Sequence, residues 1–131
     1  MYTVEIEAEG LVSAYLQEIL GCYDFHGEIE LGIYNEGVLV GAAVLDNIGG
    51  GEAYLNVGGA GFSDPTVLAA IAMFVYDYME IETLVGLVGP TNPLGRTFAA
   101  GFGAVNTGPE ADVLEDMDRW TMTKEQCVYY I

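Results

Sequence analysis

Residues 67–76 read VLAAIAMFVY, ten apolar positions in succession, and Asp64-Pro65 stand just before them. Asp is a strong N-cap because its carboxylate accepts from N–H groups of the first turn, which have no partner inside the helix. Pro suits the first helical position, where no donor is needed. The pattern predicts a helix over 66–79. A helix apolar nearly all round has no face to give to water, so it belongs in the interior. It is too short for a membrane span, which takes about 20 apolar residues, and Asp77 closes the run. The chain therefore has to supply a layer broad enough to cover this helix, and the remaining pattern supplies a β-sheet.

Val4 to Ala8 alternates apolar with acidic residues, as a half-buried strand does. Leu11 to Leu20 carries apolar positions at helical spacing before Gly21. Residues 28–34 alternate again, Asn35-Glu36-Gly37 is turn chemistry, and Val38 to Leu45 reads as the hairpin partner, buried on both faces. Ile48-Gly49-Gly50-Gly51 turns the chain into a strand over 52–57, and a Gly-rich loop at 58–61 leads to the buried helix. Beyond that helix come a strand over 83–88, a turn from Gly89 to Pro93, and a helix over 94–101. A short segment at 102–105, an acidic loop and a last strand over 119–123 complete the order. The series β-α-β-β-β-α-β-α-β predicts an α/β (α+β) fold, a mixed and largely antiparallel sheet flanked by helices. At 131 residues this is expected to be a single domain, 1–131.

Three Lys and Arg against 20 Asp and Glu give a net charge of −17, and no basic residue precedes Arg96. Such a balance repels a phosphate backbone and argues against nucleic acid as a partner. With no basic leader and no long apolar run, the expectation is a cytosolic protein without a membrane partner. Because 52% of the residues are apolar, uncharged surface should remain exposed, so the expected partners are other protein chains, whether further copies or different proteins. The acidity suits solubility or a basic partner. Val128 to Ile131 is a candidate contact, since an apolar C-terminal segment docks on something, inside the chain or outside it.

Cys22, Asp24 and His26 are close in sequence, but Gly21 and Gly27 break a helical presentation and no second His exists. No metal site is expected. His26 has no nucleophile at a suggestive spacing and reads as a loop or core histidine. Cys22 and Cys127 read as reduced, buried, small apolar residues.

A strand feeding Asn92, then a short helix, then Gly103-Ala104-Val105 forms a pattern that resembles the GCN5-related N-acetyltransferase (GNAT) superfamily, from about residue 28 onward. The stretch from Gly89 to Val105 looks closest to the acetyltransferase-like accessory proteins of short-tailed phages, which serve in assembly or inside the virion. The resemblance implies where chemistry would sit. Active members open the long helix with Arg or Gln, two residues, Gly, one residue, and Gly or Ala, and its N–H groups bind the CoA pyrophosphate. Gly58, Gly59 and Gly61 stand there as candidate cofactor-binding residues, without the Arg or Gln. Asp64 competes for the donors a pyrophosphate needs, and Pro65 removes one. Many members place a Tyr seven residues after the Asn to protonate the departing thiolate. Here that position is Ala99, and Phe98 beside it has no hydroxyl. Glu52 is the candidate general base, with Glu28 or Glu30 able to face the same cleft, and Asn92 is a candidate for positioning substrate or pantetheine. Tyr54 and Asn56 read as packing and edge hydrogen bonding.

The expected function is thus an acetyltransferase-like phage protein, catalytically silent and without a cofactor, acting as a virion or assembly component in the virion or the host cytoplasm. The alternative is an active N-acetyltransferase that uses acetyl-CoA on a cationic amine acceptor. A third reading is an acidic decoy that occupies a nucleic-acid-binding protein. An open splay between the fourth and fifth strands favours the enzyme, and a filled one ends it.

Overall fold

The computed structural model describes residues 1–7, 11–20, 29–89, 92–109 and 117–130. In chain order these form β1 (Tyr2–Glu7), α1 (Leu11–Leu20), β2 (Ile29–Asn35), β3 (Val38–Gly49), β4 (Glu52–Gly59), α2 (Pro65–Met73), β5 (Thr83–Val88), α3 (Pro93–Phe102), β6 (Val105–Pro109) and β7 (Asp118–Thr123). The seven strands make one sheet in the order β1-β2-β3-β4-β5-β7-β6. Every neighbouring pair is antiparallel except β4–β5.

Two tight hairpins build the first half. Glu36 and Gly37 both take positive φ between β2 and β3, as do Gly50 and Gly51 between β3 and β4. Positive φ at both central residues is the turn whose twist matches that of the flanking strands. Alternation then divides the side chains between two faces. Leu31, Ile33, Ala43, Leu45 and Ala53 point to the face that α2 covers with Val67, Leu68, Ile71 and Ala72. Ala42 and Val44 point to the other, where Val12 and Leu16 of α1 cover them. Covering on both faces is why the middle of β3 lacks polar alternation.

At its C-terminal end α2 widens into a π-helical turn over Phe74–Tyr78, closed by the Met79 N–H donating to the Phe74 carbonyl at 2.9 Å. The wider turn carries the consecutive residues Val75 and Tyr76 into the core together. There the Tyr76 hydroxyl donates to the Met122 carbonyl of β7 at 2.6 Å. Burial pushes the Tyr76 phenol well above its ordinary range.

Several expectations need correction. The first strand runs Tyr2–Glu7, so it begins two residues before the expected Val4, and Ala8 lies outside the described residues. The Gly-rich segment is not all loop, because Gly58 and Gly59 continue β4 opposite Ala42 and Gly41. The glycines there allow a close approach: a Cβ on Gly41 would overlap the Ala60 carbonyl, and one on Gly59 would overlap that of Val40. The segment at 102–105 leads into a seventh strand, β6, which the sequence reading missed. It is exposed and ends in Pro, so it carries little of the usual strand signal and exists by pairing with β7. The C-terminal segment docks within the chain. Cys127 is buried, Tyr129 meets Phe102 edge-on, and Tyr130 meets Tyr76, while Val128 stays exposed.

Candidate functional site

β4 and β5 run parallel but pair at only three positions, Glu52–Thr83, Ala53–Leu84 and Tyr54–Val85. Beyond them the strands part. A cleft of about 240 Å³ lies where they diverge, lined by the far halves of both strands, by α3 and by β7. The splay between the fourth and fifth strands is therefore open. Its lining is apolar apart from Asn56, Asn92 and Trp120, and none of the described residues that line it carries a formal charge. The C-terminal ends of β4 and β5 lead to α2 and α3, so both helix N-termini lie toward the open end. In parallel pairs ligands gather at this end, because helix dipoles and free N–H groups converge there.

Both N-termini are occupied by their own caps. The Asp64 carboxylate accepts from the Thr66 N–H at 2.9 Å, and the Asp64 carbonyl accepts from Val67 and Leu68 at 3.1 and 3.2 Å. Pro65 has no donor. A pyrophosphate approaching α2 would meet a carboxylate where it needs N–H groups. At α3 the Asn92 side-chain oxygen accepts from the Gly95 N–H at 3.0 Å, with Pro93 at the first position. Phe98 and Phe102 of α3 line the cleft and meet edge-on, and Phe62 of the loop before α2 meets Phe98 edge-on at 5.8 Å between centroids. At each helix one first-turn N–H that a phosphate could use is already taken by the cap.

The other candidates are scattered. Gly61, at φ +101°, sits where a Cβ would press on the Ile33 side chain at 2.8 Å, which gives this glycine a packing reason. Ala99 lines the cleft, at the position the resemblance assigns to a proton donor. Glu52 lies at the closed end, on the face opposite Ala53, and its carboxylate holds the Arg119 guanidinium at 2.7 Å. Bonds to Glu52 and then Tyr54 push the Arg119 guanidinium still further up. Glu30 is buried and accepts from the Ser13 N–H at 2.7 Å, so it caps α1 from β2. The Asn56 side chain turns to β3 and donates to the Val44 carbonyl at 3.4 Å. Arg96 faces Asp118 at 3.4 Å. Cys22, His26 and Glu28 lie outside the described residues. Among the described residues no cluster of metal-ligating side chains occurs, and no helix is long and apolar enough to cross a membrane. The sequence reading missed the Glu52–Arg119 pair and the ring contact between Phe62 and Phe98. Both join residues far apart in the chain, and no local pattern marks them.

No family model and no curated protein matches the chain. Solved structures do. The spermidine N-acetyltransferase of Vibrio cholerae, in a complex with CoA and spermine, superposes with a TM-score of 0.73 at 12% identity, covering 95% of this chain and 96% of that one. A dodecameric structure of that enzyme in an intermediate state gives 0.74 at 13%, covering 93% of each chain. The ribosomal-protein-S5-alanine acetyltransferase of Vibrio fischeri gives 0.63 at 13%, covering 72% of this chain and 61% of that one. The fold is that of the GNAT acetyltransferases, as the residues from Asn92 to Val105 implied.

Proposed function

We propose that this chain keeps the acetyltransferase fold as a scaffold without acyl transfer, and serves as an assembly or virion component of a short-tailed phage. One observation carries the reading. The helix N-terminus that would hold the CoA pyrophosphate is filled by the Asp64 carboxylate and opened by Pro65. Electrostatics points the same way. CoA brings about four negative charges to a chain at −17, and like charges at close range repel unless cations intervene. Two of the three cations, Arg96 and Arg119, are already paired with Asp118 and Glu52. Ala99 lacks a proton to give, and Glu52 is committed to Arg119.

The phage assignment rests on the likeness of residues 89–105, and it implies work in the virion or the host cytoplasm. Partners are other protein chains, in keeping with the exposed Met73, Tyr78, Leu94 and Val105. A second reading, an N-acyltransferase for a cationic amine, is favoured by the open cleft and the acidity. Isothermal titration with acetyl-CoA at moderate salt separates the two. The proposal expects no measurable heat, and a dissociation constant in the low-micromolar range would overturn it.

A further inference from the structure

α3 forms one wall of the cleft, with Gly95, Phe98, Ala99 and Phe102 in the lining. Yet only Phe102 among its residues is buried, and the rest are half-buried or exposed. A short helix is held mainly by the apolar surface it packs, so α3 takes its position from whatever secures its Phe102 end.

Residues 124–130 secure it. The Phe102 carbonyl accepts the Val128 N–H at 2.9 Å, and the Tyr129 ring meets Phe102 edge-on at 5.9 Å between centroids. Gly103 ends α3 at φ +115°, so close to the Gln126 carbonyl that a Cβ there would overlap it. The Gly103 N–H donates to the Ala99 and Ala100 carbonyls, and the Ala104 N–H donates to Ala99, so this end of the helix is continuous with the cleft lining.

The segment is itself lightly anchored. Cys127 is its one buried side chain. Beyond it Tyr130 reaches the π-helical turn of α2, where its ring meets Tyr76 edge-on at 5.8 Å and its hydroxyl donates to the Asp77 carboxylate at 2.6 Å. The Lys124 ammonium lies 6.0 Å from the centre of the same ring. The Tyr130–Asp77 bond is exposed, so water competes for it. A unit with few buried contacts opens at a lower free energy than the core.

We propose that residues 124–130 are a latch on α3. While Tyr130 is docked on Tyr76 and Asp77 the cleft wall is held, and release of Tyr130 loosens the segment and the end of α3 together while the sheet stays folded. The two open as one unit, because Val128 and Phe102 share a hydrogen bond and Gly103 lies against Gln126 with no room between them. The latch is independent of what the cleft binds, so its test and that of the scaffold reading do not bear on one another.

The test is native-state hydrogen exchange of the full chain by NMR, on the parent and on Tyr130→Phe, Asp77→Ala, the double variant and Tyr78→Phe. In the parent the amides of Gly103, Ala104, Cys127 and Val128 should share one opening free energy, lower than that of the β2–β3 ladder. Tyr130→Phe keeps the ring and loses the bond to Asp77, so it should speed all four amides together by roughly five-fold, the effect of one ordinary hydrogen bond. Asp77→Ala should do the same, and the double variant should add nothing further, since both changes remove one bond. Tyr78→Phe alters a neighbouring tyrosine that stacks on Phe74 and should leave the four amides as they were. Faster exchange at Cys127 and Val128 with Gly103 and Ala104 unchanged overturns the inference, because the segment then opens without α3. Four amides that open only with the β2–β3 ladder overturn it as well, since no separate unit then exists.

Discussion

Replacing Asn92 with Ala separates the structural role of this side chain from a catalytic one. In the structure its side-chain oxygen accepts the Gly95 N–H at 3.0 Å and so satisfies a first-turn donor of α3. Ala offers no acceptor, while the backbone bond from the Arg96 N–H to the Asn92 carbonyl remains. The loss is therefore that of a single N-cap, about 1 kcal/mol. For a chain of this size that lowers Tm by roughly 3–6 °C. Asn92→Asp keeps the acceptor and adds a charge that the helix dipole favours, so it should stay within about 0.5 kcal/mol of the parent. Urea and thermal unfolding followed by circular dichroism measure all three proteins. If Asp is as damaging as Ala, the side chain acts through its NH2 group and the capping argument is wrong. If Ala leaves stability unchanged, Asn92 is free to serve a ligand, and the enzyme reading regains its ground.

Tyr76→Phe removes the bond to the Met122 carbonyl and should cost about 1–2 kcal/mol in urea unfolding. Because burial raises the phenol, the folded state holds its proton when the unfolded state, near pH 10.0, begins to lose it. Stability should accordingly fall as pH rises past about 10, and the Phe variant should show a shallower fall in alkaline melts. Gly103→Ala places a Cβ against the Gln126 carbonyl at a φ of +115°, so a loss of about 2–3 kcal/mol or a failure to fold is expected, read by the same melts. Burial pushes the Cys127 thiol up, so it should be labelled by a thiol reagent at neutral pH only in denaturant, as located by peptide mapping. Labelling in the native protein would mean that the docked C-terminal segment opens.

The elements that rest on local chemistry could be read in the chain. Asp64-Pro65 and the apolar run after it placed the buried helix, because capping and burial depend on neighbours in sequence. The turns at 36–37 and 50–51 and the alternation around them placed three strands. The pattern from Asn92 to Val105 carried the fold family. Asn92 stands in the turn read from Gly89 to Pro93, and its side chain accepts the Gly95 N–H as the N-cap of α3. The seventh strand, the π turn, the Glu52–Arg119 pair 67 residues apart in the chain and the Glu30 cap on α1 were not readable in this way. Each depends on a partner that only folding brings near. The cleft is the clearest case. Whether β4 and β5 stay together past Tyr54 depends on where α3 and β7 hold β5 and where β3 holds β4. The residues at 55–57 and 86–88 do not record that geometry. Local sequence determined the capped helices and the hairpins, and the tertiary packing of the sheet decided that a gap stays open between its two parallel strands.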